Sequence, residues 1–169
     1  IGVGHVSRCL KLAEELRYKC NKIIFITKNL KGNFNNLIKK KRFKIFSIQS
    51  NNSTNRLKSD LYNTRKACKR FGITILVVDN YQIDLKWEKE IKKHVSKLVV
   101  IDDFTEKKHY CDLIINNFSK KKYNNTKYLN GLKYVIIPNN SSYKKKVKKK
   151  NIVRIGTFFG STDSKNCSE

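Results

Sequence analysis

The feature that most restricts the fold is an alternation of short, unbroken apolar runs with longer segments of helical periodicity. Ile23 to Ile26, Phe43 to Ile48, Ile73 to Val78, Leu98 to Ile101, Leu113 to Ile115 and Tyr134 to Ile137 are rich in β-branched and aromatic residues. Runs this short, without polar alternation, read as strands buried on both faces of a parallel sheet. Between them lie helical patterns. Val6, Leu10, Leu12, Ala13 and Leu16 recur at helical spacing, and Phe34 to Lys40 forms a short helix. Leu57, Leu61, Ala67, Cys68 and Phe71 follow a possible cap at Ser53 or Thr54 and stop at Gly72. Trp87, Ile91 and Val95 mark a further helix. Strand and helix in turn predict an α/β chain built on a doubly wound parallel sheet, which binds ligands beyond the carboxyl ends of its strands.

Length and composition fit that class. A chain of 169 residues, 39% hydrophobic, is long enough for one domain with a core, or one domain and part of another. Methionine is absent, so Ile1 is not a translation start, and the opening residues read as a strand-to-helix loop without its strand. Near the other end, the apolar run Ile152 to Phe159 leads into Gly160-Ser161-Thr162-Asp163, which reads as the opening of a second domain. The expected organisation is therefore truncated at both ends: residues 1–140 a first domain lacking its first strand, 141–151 a Lys-rich linker, and 152–169 the start of a second domain.

The formal net charge of +25 would ordinarily point to a polyanionic partner. Here the excess is nearly all Lys, is spread along the chain and accompanies abundant Asn, the pattern of a proteome-wide drift in composition. A basic surface with a purpose remains the other reading. The five cysteines form no Cys-x-x-Cys pair, which argues against a disulfide framework or zinc knuckle and for a reducing cytoplasm. No apolar run approaches the roughly 20 residues of a membrane span, and the first residues do not form a signal peptide.

Chemistry is expected in the polar segments at strand ends. Gly2-Val3-Gly4-His5 opens a helix whose free N–H groups favour an anion, and a histidine there can reach the crevice as a general base. The plainer alternative is that His5 only helps to start the helix. Arg8 lies one turn on, able to meet phosphate or to orient the loop, although spacing alone favours a solvated or partner-bridging role. Asp79 and Tyr81 follow the clearest strand, and the usual preference of Asp makes a helix or turn cap the favoured role of Asp79. Asp102 and Asp103 are adjacent on an extended chain and point opposite ways, so a shared metal is disfavoured against a turn role. His109 and Cys111 lack further spaced zinc ligands, and His94 reads as a surface residue.

Taken in order, Gly2-Val3-Gly4-His5-Val6 with Arg8 and Leu10, Asp79-Asn80-Tyr81, Ile101-Asp102-Asp103, His109 to Leu113 with Asn116, and Gly160 to Asp163 with Asn166 resemble one family. It is that of the UDP-2,4-diacetamido-2,4,6-trideoxy-β-L-altropyranose hydrolases of pseudaminic acid biosynthesis, with the related spore-coat polysaccharide proteins. The resemblance covers essentially the whole chain. It implies a Rossmann-like first domain of a two-domain fold similar to the B-type inverting glycosyltransferases, such as the N-acetylglucosaminyltransferase of peptidoglycan synthesis. It further implies a cytoplasmic enzyme without a cofactor, in which water attacks the anomeric carbon of a UDP-sugar with inversion and UDP departs.

Residue by residue, the resemblance makes His5 the base that activates water and Tyr81 part of the sugar pocket. Gly2, Gly4 and Arg8, with Gly160, Ser161, Asp163 and Asn166, become candidates for binding the rest of the substrate. Ser161 stands where the family usually has a second glycine, and Pro138 where many members have an arginine. The expected partner is the UDP-sugar, with no nucleic acid. Two other readings stay open: a related glycosyltransferase, which would need an acceptor, and a basic nucleic-acid-binding module. The aromatics fall mostly within apolar runs, unlike a base-stacking surface.

Overall fold

The computed structural model describes residues 3–30, 32–49, 56–104, 107–118 and 126–137. Along the chain they form α1 (Val3–Leu16), β1 (Ile24–Asn29), α2 (Asn35–Lys40), β2 (Lys44–Gln49) and α3 (Arg56–Phe71). There follow β3 (Ile75–Val78), α4 (Leu85–Lys92), β4 (Lys97–Ile101), β5 (Leu113–Asn116) and β6 (Lys127–Asn130). Every strand pairing is parallel, so the chain has the α/β class read from its apolar runs, in keeping with a Rossmann-like arrangement. The hydrogen-bonded ladder is divided, however. β1 pairs with β2, and β3, β4, β5 and β6 pair in that order, with no pairing between β1 and β3 among the described residues.

Two apolar clusters hold the layers together. Leu10 and Ala13 of α1 pack with Ile38 of α2 and Phe43, against Phe25 and Ile45 on one face of the smaller sheet. The other cluster joins Cys68 of α3 and Trp87 and Ile91 of α4 to Leu76, Val78, Leu98, Val100 and Ile114 of the larger sheet. Ile26 of β1 also packs against this second cluster, and the Phe46 ring of β2 meets the Phe71 ring of α3 edge-on. The period-two alternation of a strand explains the division: Phe25 and Ile26 leave β1 on opposite faces, each towards a different helical layer.

A buried carboxylate joins three of these elements. Asp60 of α3 accepts a hydrogen bond from the indole Nε1 of Trp87 at 3.1 Å and an ion pair from Lys28 of β1 at 2.9 Å. Asp60→Ala would leave both donors without that acceptor, and we expect a loss on the order of 3 kcal/mol in urea unfolding. Asp60→Asn, which keeps an acceptor for Trp87, should lose less.

The helix stop read at Gly72 is present. Its φ of 61° is left-handed, and the amide of Ile73 returns to the carbonyl of Cys68 at 2.9 Å. Other expectations need correction. The strand expected at Tyr134 to Ile137 is instead a 3-10 turn, Leu132–Tyr134, followed by extended chain, and the strand beside β5 is β6. Lys127-Tyr128-Leu129-Asn130 pairs on only one described edge, and that position needs little apolar surface, so its composition was a weak signal. The helix through Trp87 ends at Lys92, leaving Val95 buried beyond it. The proposed caps Ser53 and Thr54, Pro138, and the whole of 141–151 and 152–169 lie outside the described residues.

Candidate active site

β3 and β4 lie side by side with Val78 level with Val100. Continuing that register one residue past the ladder sets Asp79 level with Ile101, and Tyr81 follows in a turn. Leu76, Val78, Leu98 and Val100 face the core under α3 and α4. By strand alternation Asp79 and Asp103 turn to the other face, where α1 begins, while Asp102 turns back towards α4. The opposed directions expected for Asp102 and Asp103 follow from this geometry.

α1 starts at Val3, so Gly4 and His5 belong to its first turn rather than to a loop before it. A Cβ added at Gly4 would meet no atom within 4 Å. His5 Nδ1 lies 2.6 Å from Asp79 Oδ1, and the Asp79 side chain is 2% exposed. A carboxylate only accepts, so Nδ1 carries a hydrogen, and the neutral form of this ring has its lone pair on Nε2. The imidazole, 17% exposed, makes no further hydrogen bond among the described residues.

Arg8, one turn further along α1, joins both strand ends. Its Nε and Nη2 donate to the two oxygens of Asp79 at 2.9 and 2.7 Å, and Nη1 donates to both oxygens of Asp103, the shorter at 2.8 Å. Burial opposes the guanidinium charge, but the bonds to Asp79 and Asp103 outweigh it and hold Arg8 above its ordinary pKa. This forked geometry suits two carboxylates as well as it would suit phosphate. Arg8 is therefore committed to bridging, the role that spacing favoured, with one buried partner, Asp79, and one partly exposed, Asp103. The Cys9 thiol lies 3.5 Å from Asp79 Oδ2, and burial, then the Asp79 charge, push it up to about 12. It stays protonated and is no nucleophile at neutral pH.

The same corner carries an aromatic wall. The Tyr81 hydroxyl donates to Asp103; burial and that bond raise its pKa and keep it a phenol. The His5 and Tyr81 rings meet edge to face at 4.6 Å, and Tyr81 meets Phe104 likewise at 4.7 Å. Helix capping, the role favoured for Asp79, is performed by Asp84, whose Oδ1 accepts the amide of Trp87 at 2.8 Å.

Behind the wall lies a buried ionic cluster. His109 sits between Glu88 of α4 and Asp102, each 2.7 Å away, and Glu88 also accepts the amide of Tyr110 at 2.6 Å. Burial alone would lower the pKa of His109; hydrogen bonds to Asp102 and Glu88 reverse this and raise it to about 9. Asp102 is opposed by burial but lowered on balance by His109 and the Phe104 amide. A raised histidine stabilises the fold fully below its unfolded value of 6.5, and that contribution is lost as pH rises through about 9. We expect urea midpoints to fall by an amount worth about 3 kcal/mol between those pH values. His109→Gln should flatten this decline.

His5, Arg8, Tyr81 and Gly4 thus stand together at the carboxyl ends of β3 and β4. Gly2, Gly160, Ser161, Asp163 and Asn166 lie outside the described residues. Sequence reading passed over Asp79 as a partner of His5, Asp103 as the second acceptor for Arg8, and Phe104. Their position at strand ends was the available signal. An open depression lined by Cys68, Gly72, Thr74, His94 and Ser96 lies at the opposite, amino ends of β3 and β4, and carries no carboxylate to pair with His94. Among the described residues no three His, Cys, Asp or Glu side chains converge as a metal site, and no helix is long and apolar enough to cross a membrane.

No protein-family model matches the chain. Over 182 aligned positions it is 29% identical to an uncharacterized protein of Methanocaldococcus jannaschii, an alignment that covers 98% of this chain. The chain spans 35% of the length of that curated relative.

Proposed function

We propose that this chain carries the base-bearing part of an inverting UDP-sugar hydrolase acting on UDP-2,4-diacetamido-2,4,6-trideoxy-β-L-altropyranose. The observation that carries the reading is the His5 to Asp79 pair at the strand-end crevice, 2.6 Å long and with Asp79 buried. His5 Nε2 takes a proton from water, and the water oxygen bonds to the anomeric carbon from the face opposite the diphosphate. The bond from that carbon to the diphosphate oxygen breaks with its electron pair, giving UDP and the free sugar of inverted configuration. Asp79 keeps the Nδ1 hydrogen in place and stabilises the imidazolium formed during the step. Arg8 is shared between Asp79 and Asp103, so it offsets one of the two carboxylate charges and leaves a negative setting that favours the imidazolium.

The departing diphosphate is a good leaving group and needs charge neutralisation more than protonation. The first turn of α1, next to His5, offers free backbone N–H groups. In the B-type two-domain arrangement that we propose, Gly160, Ser161, Asp163 and Asn166 hold the nucleotide end across the cleft. A cytoplasmic place in surface-glycan synthesis belongs to the same proposal. The test is UDP release by the protein at its full natural length, with no acceptor added and the product anomer followed by NMR. Release of UDP with inverted free sugar is expected. No release, or release only when a sugar or lipid acceptor is supplied, would replace hydrolysis with inactivity on this substrate or with glycosyl transfer.

A further inference from the structure

Phe104 is an exposed aromatic residue held unusually firmly. The residue is 55% exposed, yet its amide donates to Asp102 Oδ1 at 3.0 Å and its carbonyl accepts from Asn116 Nδ2 at 2.8 Å. Both anchoring side chains are buried, and Asp102 is itself fixed by His109. A surface phenylalanine whose two backbone groups are pinned by buried side chains loses little further freedom when a ligand settles on it. Its ring continues the wall that starts at the proposed base, His5 to Tyr81 to Phe104, with successive ring centroids 4.6 and 4.7 Å apart. Asp103 accepts from Tyr81 and from Arg8, which fixes the middle of that wall.

We infer that Phe104 is a substrate-contact residue, its ring receiving the apolar C–H face, with any methyl substituents, of the sugar whose anomeric carbon lies at His5. The inference rests on the hydrolase reading for the identity of the sugar. The chemistry follows from the wall itself: two exposed aromatic rings offer apolar area, while the polar groups beside them are already engaged, Asp103 and Arg8 with each other and with the Tyr81 hydroxyl, and Lys107 Nζ with the Tyr81 carbonyl at 2.9 Å. A ring with many outward hydroxyls on this face would lose hydration there without a replacement bond. A deoxygenated, methyl-bearing face gains by leaving water. Phe104 therefore selects for apolar sugar surface, and the base works independently of it.

The experiment uses the protein at its full natural length and compares wild type with Phe104→Ala, Phe104→Leu and, as a remote control, Tyr62→Ala on the exposed side of α3. For UDP release, Phe104→Ala should raise KM about tenfold, with kcat within about threefold of wild type. Phe104→Leu should lie between, and Tyr62→Ala should match wild type. In parallel, saturation-transfer NMR with free 2,4-diacetamido-2,4,6-trideoxyaltropyranose should show aromatic-to-methyl transfer that Phe104→Ala weakens severalfold, Tyr81 being left. Unchanged KM and unchanged transfer would overturn the assignment, as would a fall in kcat at constant KM, which would mean that Phe104 acts on the base through Tyr81. Transfer that depends on Phe104 without UDP release by wild type would uphold the sugar contact and remove the hydrolase reading. Should Phe104→Ala fail to fold, Phe104→Leu decides the matter by the same two readouts.

Discussion

A His5→Ala variant of the full-length protein is expected to release UDP with kcat lowered by about 100-fold to 10,000-fold and KM changed little. The size follows from the role proposed for the residue. General-base removal of a proton is needed only as the water oxygen bonds to carbon, so its loss falls on the transition state and not on binding. The magnitude is bounded from above because the leaving diphosphate and the positioning of the sugar remain. The fold should hardly notice: the His5 imidazole is near the surface, 17% exposed, and its pairing with Asp79 is backed by Arg8. A variant with wild-type unfolding and a rate near that of wild type would remove His5 from the chemistry.

Asp79→Asn should slow the reaction nearly as much, by roughly 1,000-fold to 10,000-fold, for a different reason. An asparagine amide can present its N–H to Nδ1, which turns the imidazole to the tautomer whose hydrogen sits on Nε2, where a base needs a lone pair. Unlike the change at His5, this one also reaches the fold. Asp79 is 2% exposed and accepts from His5, from Nε and Nη2 of Arg8 and from the Cys9 thiol. Arg8 keeps Asp103 but loses half of its carboxylate partners, and we expect a loss of about 2 kcal/mol in urea unfolding. Asp79→Ala should cost more, since it also leaves a void beside a half-buried guanidinium. Asp103→Asn, in contrast, should weaken the Arg8 bridge while leaving the His5 tautomer alone, so its effect on kcat should be much smaller.

The pattern of what was readable from sequence has physical causes. The α/β class and most strands were legible because an unbroken apolar run is demanded wherever a strand is covered on both faces, as β4 is at the adjacent, buried Val100 and Ile101. β6 escaped because, among the described residues, Lys127 to Asn130 pairs with β5 alone and none of the four is fully buried, whereas Tyr134 to Ile137 is apolar without joining a ladder there. His5 was legible from its place at a helix start. The partners of His5 were not. Asp79 and Asp84 both precede or begin a helix-side segment, and sequence spacing cannot tell which carboxylate caps Trp87 and which turns across the sheet to α1. The decisive fact is the parity of Asp79 relative to Val78, which only a known inward face supplies.

The same parity separates Asp102 from Asp103. One secures His109 and the Phe104 backbone on the α4 side, the other ties Arg8 and Tyr81 on the side where α1 begins. Adjacent carboxylates thereby serve two layers of one strand end, without sharing a ligand. His109 could be recognised as a poor zinc candidate from sequence, yet its burial between Glu88 and Asp102 depends on contacts 21 and 7 residues away and had no local signature.

The central claim is that His5 and Asp79 act as one unit on water at the anomeric carbon. The measurement that tests it most directly is kcat for UDP release by full-length wild type, His5→Gln, Asp79→Asn and the double variant, compared as one cycle. A shared role predicts that wild type turns over and that the double variant lies within about tenfold of His5→Gln, because Asp79 has no ring left to orient. Absence of UDP release by wild type, or losses that multiply in the double variant as for independent sites, would contradict it.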